Sequence, residues 1–134
     1  MNDVVVVGGG IAGLLSAARL VAQGAKVTLV TFGVGGLQLS HGGFDVLGYA
    51  PERVDRPFDV LDDFIAANPE HPYAFLDAEL VGSAASYLAE LVGPGLLVGD
   101  PAVNYQLPTA AGAVRPTALA SPSMVAGACV EGAK

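Results

Sequence analysis

Three glycines near the start of the chain have the spacing of a phosphate cradle. They are Gly8, Gly10 and Gly13, in the pattern G-x-G-x-x-G, directly after the apolar run Val4–Val7 and at the start of a helical pattern. In such a turn the first glycine allows the tight bend, the second admits a phosphate, and the third lets helix and strand pack closely. The unpaired N–H groups and the dipole of the helix start favour an anion. The pattern predicts a dinucleotide or flavin site, the alternative being a tight turn without a ligand.

The end of the second predicted strand bears on which nucleotide fits. An acidic residue commonly stands there, about twenty residues beyond the glycines, and binds the adenosine ribose. In this chain the position is Thr31, and residues 25–39 contain no Asp or Glu. We therefore expect a weak hydroxyl contact from Thr31, a mononucleotide such as FMN that has no adenosine ribose, or a vestigial site. Lys26 lies at the wrong end of the strand for the 2′-phosphate of NADP.

Further polar candidates follow the second strand. Ser40 and His41 open a glycine-rich segment, where both can donate hydrogen bonds and a histidine can take or give a proton near neutral pH. The alternative is an ordinary mobile loop. Arg115 is the one cation in a stretch otherwise without charge, and it can hold a phosphate through two parallel bonds or simply lie beside a strand end. The histidines His41 and His71 lack zinc-ligand spacing, so no metal site is predicted.

The elements that position these groups alternate strand and helix. The run Val4–Val7 has no polar alternation, which is typical of a strand buried on both faces of a parallel sheet. Apolar residues then recur at helical spacing from Ile11 to Ala22, and residues 26–31 form a second β-branched run. This order predicts a βαβ unit.

Helices and short strands are predicted further along. Pro57 begins a helix that ends near Asn68, which precedes a proline. Asp77 caps a second helix with a clear apolar stripe, and Gly93 stops it. Short strands are then predicted to form a small antiparallel meander: 96–98, 105–107 and 113–117. The Ala/Gly/Ser/Pro-rich sequence from Ser121 onward predicts a poorly ordered tail.

The composition excludes several classes of protein. The chain has 134 residues, of which 52% are hydrophobic and 14% charged, and this argues against a disordered tail. A net charge of -7 argues against a nucleic-acid binder. The single cysteine, Cys129, excludes an internal disulfide and a cysteine-held iron–sulfur cluster. The longest apolar stretch, 4–15, contains four glycines and is too short for a membrane span. We expect a cytoplasmic chain with no direct membrane span.

Taken in order, the motifs resemble a known family. Between about residues 4 and 122 the chain is similar to the N-terminal part of the B subunit of anaerobic glycerol-3-phosphate dehydrogenases. The resemblance is carried by V-V-V-G-G-G-I-A-G-L-L, L-V-T-F-G, L-S-H-G-G-F-D-V-L-G-Y, N-P-E-H-P-Y and L-P-T-A-A-G-A-V-R-P-T-A-L-A. The first motif is shared by many flavoproteins, and the later ones are more distinctive.

This resemblance implies a function and a set of partners. It implies a flavoprotein that carries FMN, with FAD as the alternative, and that oxidises sn-glycerol 3-phosphate to dihydroxyacetone phosphate. It also implies an FAD-containing A subunit and an iron–sulfur C subunit, which pass electrons to the quinone pool from the inner face of the cell membrane.

The resemblance also carries over site residues. Gly8, Gly10 and Gly13 match the phosphate cradle, and Thr31 agrees with the family, which lacks the usual acid there. The family's glycine-rich loop, which can wrap a flavin, is matched by a further group: Ser40, His41, Gly42, Gly43 and Asp45. His41 is the candidate base, and Arg115 matches an R-P-T segment and is the candidate for the substrate phosphate.

The expected fold class is α/β. We predict the N-terminal βαβ unit of a Rossmann-like FAD/NAD(P)-binding fold over 1–50, a helical and short-strand insertion over 51–120, and a soft tail over 121–134. Because family members are far longer, the chain is expected to be truncated and inactive alone. Two other interpretations stay open: a non-catalytic scaffold or electron-relay subunit, and another FAD- or NAD-dependent oxidoreductase.

Overall fold

The computed structural model describes residues 3–128. Within it the chain divides into two compact units, Met1–His41 and Gly42–Lys134. The glycines at positions 42 and 43 thus group with the second unit by their contacts. The division into 1–50, 51–120 and 121–134 stays a prediction about the sequence.

The first unit is the predicted βαβ unit. Strand β1 covers Val4–Val7, helix α1 covers Ile11–Ala22 and strand β2 covers Val27–Val30. The two strands are parallel, with Val4 opposite Val27 and Val7 opposite Val30. Helix α1 packs on both strands, and a 3₁₀ turn over Leu37–Leu39 follows. The α/β fold class is confirmed.

The burial of β1 differs from the expectation. Val5 and Val7 are 58% and 80% exposed, whereas Val4 and Val6 are half-buried. The expectation that β1 is buried on both faces is therefore wrong for this structure. An unbroken valine run indicates that both faces of the strand are apolar. Within this two-stranded sheet, however, helix α1 covers only the face that carries Val6.

The second unit contains two longer helices whose ends follow local signals. Helix α2 covers Pro57–Ala67 and helix α3 covers Ala78–Val92, with a 3₁₀ turn over Pro72–Phe75 between them. Asp77 caps α3 by accepting a hydrogen bond from the backbone N–H of Leu80 at 2.6 Å. These predicted helices are confirmed.

The short strands pair differently from the predicted meander. Strands β3 (Val98–Gly99), β4 (Tyr105–Pro108), β5 (Val114–Thr117) and β6 (Leu119–Ala120) form two separate antiparallel pairs, β4 with β5 and β3 with β6. The meander prediction is wrong because Leu119 and Ala120, which it left outside any strand, lie beside β3. Phe44 forms a further bridge to Leu119.

The core of the second unit lies between its helices and its irregular first segment. Its buried cluster consists of Val46, Leu47, Leu61, Val81 and Ala118. Helix α4 over Pro122–Ala126 follows, capped by Ser121, whose side chain accepts from the Met124 N–H. A poorly ordered tail was predicted here. The hydroxyl cap and the proline in the first turn explain the helical turn instead, and residues 129–134 lie outside the described part.

None of the helices within residues 3–128 is long and apolar enough to cross a membrane.

Candidate functional site

The glycine turn between β1 and α1 has the close packing that the sequence predicts. Gly8 has φ +117°, a left-handed conformation that favours glycine, and its N–H donates to the carbonyl of Val30 at 2.8 Å. A Cβ atom on Gly13 would lie 2.0 Å from the carbonyl oxygen of Gly8 and 3.6 Å from Val6 Cγ1. Only glycine at position 13 lets α1 approach the end of β1 this closely.

The start of α1 is open where a phosphate would sit. Gly10 is the N-cap residue, and no side chain caps the helix. A Cβ atom on Gly10 would meet nothing within 4 Å among the described residues. The space beside the Gly10 α-carbon is therefore free, next to the first turn of α1 and the positive end of its dipole. These residues fit the phosphate of a flavin nucleotide.

Thr31 lies beside this turn, but its hydroxyl is engaged locally. It accepts a hydrogen bond from the Gly33 N–H at 3.2 Å and donates to the Gly33 carbonyl. A Cβ atom on Gly9 would lie 2.7 Å from Thr31 Oγ1, and one on Gly35 would lie 2.2 Å from the Gly9 carbonyl oxygen. Residues 31–35 therefore pack directly against the glycine turn, and the first unit brings Thr31 together with the three cradle glycines.

The remaining loop candidates lie where the two units divide. Ser40 follows the 3₁₀ turn over Leu37–Leu39, and its N–H donates to the Leu37 carbonyl at 3.0 Å. Ser40 and His41 are exposed at the end of the first unit, and Gly42 and Gly43 begin the second. Their assignment to a flavin or a substrate stays a prediction.

Arg115 lies in the second unit and is paired with Asp45. The Arg115 Nε donates to Asp45 Oδ2 at 2.9 Å, and Nη2 contacts the same oxygen. The side chains are 41% and 31% exposed, so the pair is partly buried. Arg115 stands in β5 opposite Leu107 of β4, which fixes its backbone. The guanidinium is therefore held by a carboxylate of its own chain.

Tyr73 supports the backbone next to Asp45. Its hydroxyl donates to the Val46 carbonyl. Burial raises the pKa of Tyr73 above its usual value of 10.0, and the negative charge of Asp45 raises it further. Tyr73 therefore stays protonated and keeps its donor over the physiological range.

The polar arrangement of the second unit was largely missed by the sequence analysis. The sequence places Asp45 only in a loop motif, and its partner stands 70 residues away. Asn104 received no role, yet it is 6% exposed and its Nδ2 donates to the carbonyls of Leu47 at 2.9 Å and Val54 at 2.7 Å. No local pattern signals such long-range pairs. The lone arginine in an uncharged stretch was the one available hint.

Comparison with known proteins places these features in a family. The family model described as FAD binding domain matches residues 3–133. The match to the FAD binding domain family supports a flavin cofactor. It does not support the expected preference for FMN over FAD.

Curated relatives share much of this chain's length. The anaerobic glycerol-3-phosphate dehydrogenase B subunit of Aliivibrio fischeri strain MJ11 is 34% identical, over 90% of this chain and 28% of the relative. The protein of the same name from Yersinia enterocolitica is 37% identical, over 97% and 32%. That from Vibrio cholerae strain El Tor Inaba N16961 is 46% identical, over 54% and 17%. The resemblance to B subunits seen in the motifs is thereby confirmed.

The matched region covers a third or less of each of these relatives, by the shares of 28%, 32% and 17%. No solved structure matches the chain. The family match extends over nearly the whole chain and includes the glycine turn of the βαβ unit. The chain therefore belongs to the FAD binding domain family.

Proposed function

We propose that this chain supplies the nucleotide-binding βαβ unit of a flavin-dependent anaerobic glycerol-3-phosphate dehydrogenase subunit. The reaction is the oxidation of sn-glycerol 3-phosphate to dihydroxyacetone phosphate, with electrons passed to the quinone pool. The observation that carries the proposal is the glycine turn, where Gly13 packs on the Gly8 carbonyl and Gly10 leaves the uncapped helix start open. The choice of substrate is inferred from the similarity to relatives named as B subunits of anaerobic glycerol-3-phosphate dehydrogenase.

The cofactor is proposed to be FAD. The N–H groups of the first turn of α1 hold its phosphates, and Gly10 admits them because the space beside its α-carbon is free. Thr31 lies beside the turn where an acid would usually bind the ribose, so its contribution to affinity is small. When bound, the flavin accepts the hydride from the substrate carbon.

The other candidates have roles toward the flavin or the substrate. The loop that wraps the flavin or substrate contains Ser40, Gly42 and Gly43. His41 takes the proton of the substrate hydroxyl, because a histidine can act as a general base. Arg115 binds the substrate phosphate through the N–H groups that Asp45 does not use.

The protein is proposed to act within a complex. Its partners are an FAD-containing A subunit and an iron–sulfur C subunit, which place it peripherally at the inner face of the cell membrane. The relatives are named as B subunits, and this supports the existence of partner subunits.

Cofactor extraction tests the proposal. The complete reading frame that encodes this chain is expressed with its partner subunits, and the B subunit is then isolated and denatured. The released flavin is identified by chromatography. FAD supports the proposal, whereas FMN would restore the first expectation from Thr31. A B subunit without flavin would overturn the catalytic role and favour a scaffold or electron relay. Reduction of a dye by glycerol 3-phosphate, and not by other polyol phosphates, tests the substrate.

A charge substitution in the cradle sharpens this experiment. Gly10→Glu has room for its Cβ atom and places a negative charge at the helix start, so it should abolish flavin retention without unfolding the unit. Gln23→Glu adds the same charge at the opposite, exposed end of α1 and should retain the flavin. Equal retention by both variants would show that the turn does not hold the cofactor.

A further inference from the structure

The Asp45–Arg115 pair leaves part of the guanidinium available. Arg115 uses Nε and Nη2 on a single oxygen, Asp45 Oδ2. Among the described residues, the hydrogen bonds of this guanidinium run from Nε and Nη2, and the side chain is 41% exposed. A guanidinium offers donors in a planar fork that matches the oxygens of a phosphate. Arg115 is thus fixed on one edge and open on another.

Asp45 is itself held from within the unit. Its other oxygen, Oδ1, is buried and lacks a hydrogen-bond partner among the described residues. The next carbonyl, that of Val46, accepts the Tyr73 hydroxyl, and Val46 belongs to the buried core. Phe44 on the other side is bonded to Leu119 through backbone N–H and carbonyl groups at 2.7 and 3.0 Å. The carboxylate therefore sits on a backbone segment anchored at both of its neighbours.

An exposed ion pair would not show these features. Arg56 and Asp59 form the same Nε–Oδ2 contact at 3.0 Å, but they are 59% and 61% exposed and stand three residues apart on one helix start. Such a pair contributes little to stability. The Asp45–Arg115 pair joins segments 70 residues apart and leaves a carboxylate oxygen buried without a partner among the described residues. A buried carboxylate oxygen without a partner is energetically unfavourable. Its presence beside Arg115 indicates that the orientation of this arginine has a role.

We propose that Asp45 is a positioning residue that orients Arg115 to bind a phosphate monoester. The inference rests on the proposed function in assigning an anion to Arg115, and it adds the residue that fixes the geometry. Asp45 does not touch the ligand. It accepts from Nε and Nη2, so that the outer edge of the guanidinium meets two phosphate oxygens at once.

Substitution of Asp45 gives results of opposite sign for the two possible roles. If Asp45 merely offsets the charge of Arg115, Asp45→Ala raises the local positive potential and tightens phosphate binding. If Asp45 orients Arg115, the same variant weakens binding several-fold although the chain loses a negative charge. Asp45→Asn retains an acceptor for Nε without the charge and should restore most of the affinity.

The measurement is a titration followed through the Nε–H resonances of the arginines in ¹⁵N-labelled chain. Inorganic phosphate and glycerol 3-phosphate are the probes, and glycerol is the uncharged control. FMN against riboflavin shows whether the phosphate is that of a flavin or of a small substrate. The Arg115 resonance should shift with both phosphate probes. In Asp45→Ala it should exchange faster with water and bind phosphate more weakly.

Two control variants complete the design. Asp59→Ala breaks the matched exposed pair and should leave the phosphate affinity unchanged. Arg115→Lys keeps the charge but loses the fork. Its phosphate affinity, followed through backbone amide resonances because the Arg115 Nε–H is gone, should be as weak as that of Asp45→Ala. Tighter binding by Asp45→Ala, or a phosphate-insensitive Arg115 resonance in the unaltered chain, overturns the inference.

The titration with phosphate and glycerol 3-phosphate requires neither a bound flavin cofactor nor turnover. A B subunit that releases no flavin but binds phosphate in this Asp45-dependent way would overturn the proposed dehydrogenase function and leave the inference standing. A flavin-loaded B subunit whose Arg115 ignores phosphate would do the reverse.

Discussion

The α-carbon of Gly13 lies so close to the Gly8 carbonyl that an added Cβ atom would stand 2.0 Å from its oxygen. Both partners are tied to secondary structure: Gly8 by its bond to Val30 and Gly13 by its place in α1. Neither can retreat without separating the helix from the sheet. The closeness of the βα turn therefore depends on one missing methyl group.

Gly13→Ala should destabilise the first unit by about 1–3 kcal/mol, because the overlap with a backbone carbonyl exceeds the gain in helix propensity. Unfolding in urea, followed by circular dichroism, measures the change. Gly10→Ala is the matched control, since its Cβ atom meets nothing within 4 Å. An unchanged midpoint for Gly13→Ala would contradict the packing described here.

The Tyr73 hydroxyl links stability to alkaline pH. Its pKa is raised in the folded state, by burial first and by Asp45 second, so folding favours the protonated form. This contribution is fully present below the unfolded pKa of about 10 and is lost as pH rises through the higher folded value. Absorbance at the tyrosinate band should show a tyrosine that ionises at a higher pH than a free tyrosine does.

In Tyr73→Phe that late-ionising group should disappear, and the fall in stability above about pH 10 should become shallower. The variant should also lose about 1 kcal/mol near neutral pH, because the Val46 carbonyl loses its donor. An identical alkaline titration in both chains would refute the assignment to Tyr73.

Asn104→Ala should be among the most damaging polar substitutions in the second unit. The carbonyls of Leu47 and Val54 would both lose their donor at a buried position, which costs about 2–4 kcal/mol. Chemical unfolding compares this variant with Asn68→Ala. Asn68 is exposed and donates to the single carbonyl of Phe64 at 2.8 Å, so its loss should cost less than about 1 kcal/mol. Equal effects would count against the assigned role.

Thr117→Val should stabilise the second unit by about 1 kcal/mol. Thr117 is 1% exposed, and its Oγ1 has no hydrogen-bond partner among the described residues. Valine has nearly the same shape and removes the cost of the buried hydroxyl. Thr109→Val is the contrasting variant, because the Thr109 hydroxyl bonds both the N–H and the carbonyl of Ala113. It should be destabilising, and a loss of stability in Thr117→Val would reveal a partner for that hydroxyl.

The parts of the fold that local chemistry decides were predictable from the sequence. Gly8 and Gly13 defined the turn, Pro57 set the start of α2, and Asp77 capped α3. Each acts within a few residues of itself, so its signal is present in the sequence nearby. The βαβ unit follows from the glycine turn together with the apolar patterns on either side of it.

The parts that depend on distant partners were not predictable. Nothing near Val98 indicates that it pairs with Ala120 and not with β4. The valines of β1 show that a face is apolar, but not whether this chain covers it. Asp45 and Arg115 carry opposite charges, yet many such pairs exist in any sequence. Choosing among them requires the tertiary fold.

The two carbonyls held by Asn104 have a consequence for synthesis. Their donor follows them by 57 and 50 residues, so residues 47–55 leave the ribosome well before the side chain that fixes them. Translation proceeds from the N-terminus, and a loop of this length carries an entropic closure cost. The nascent segment therefore acquires these two hydrogen bonds only after Asn104 emerges.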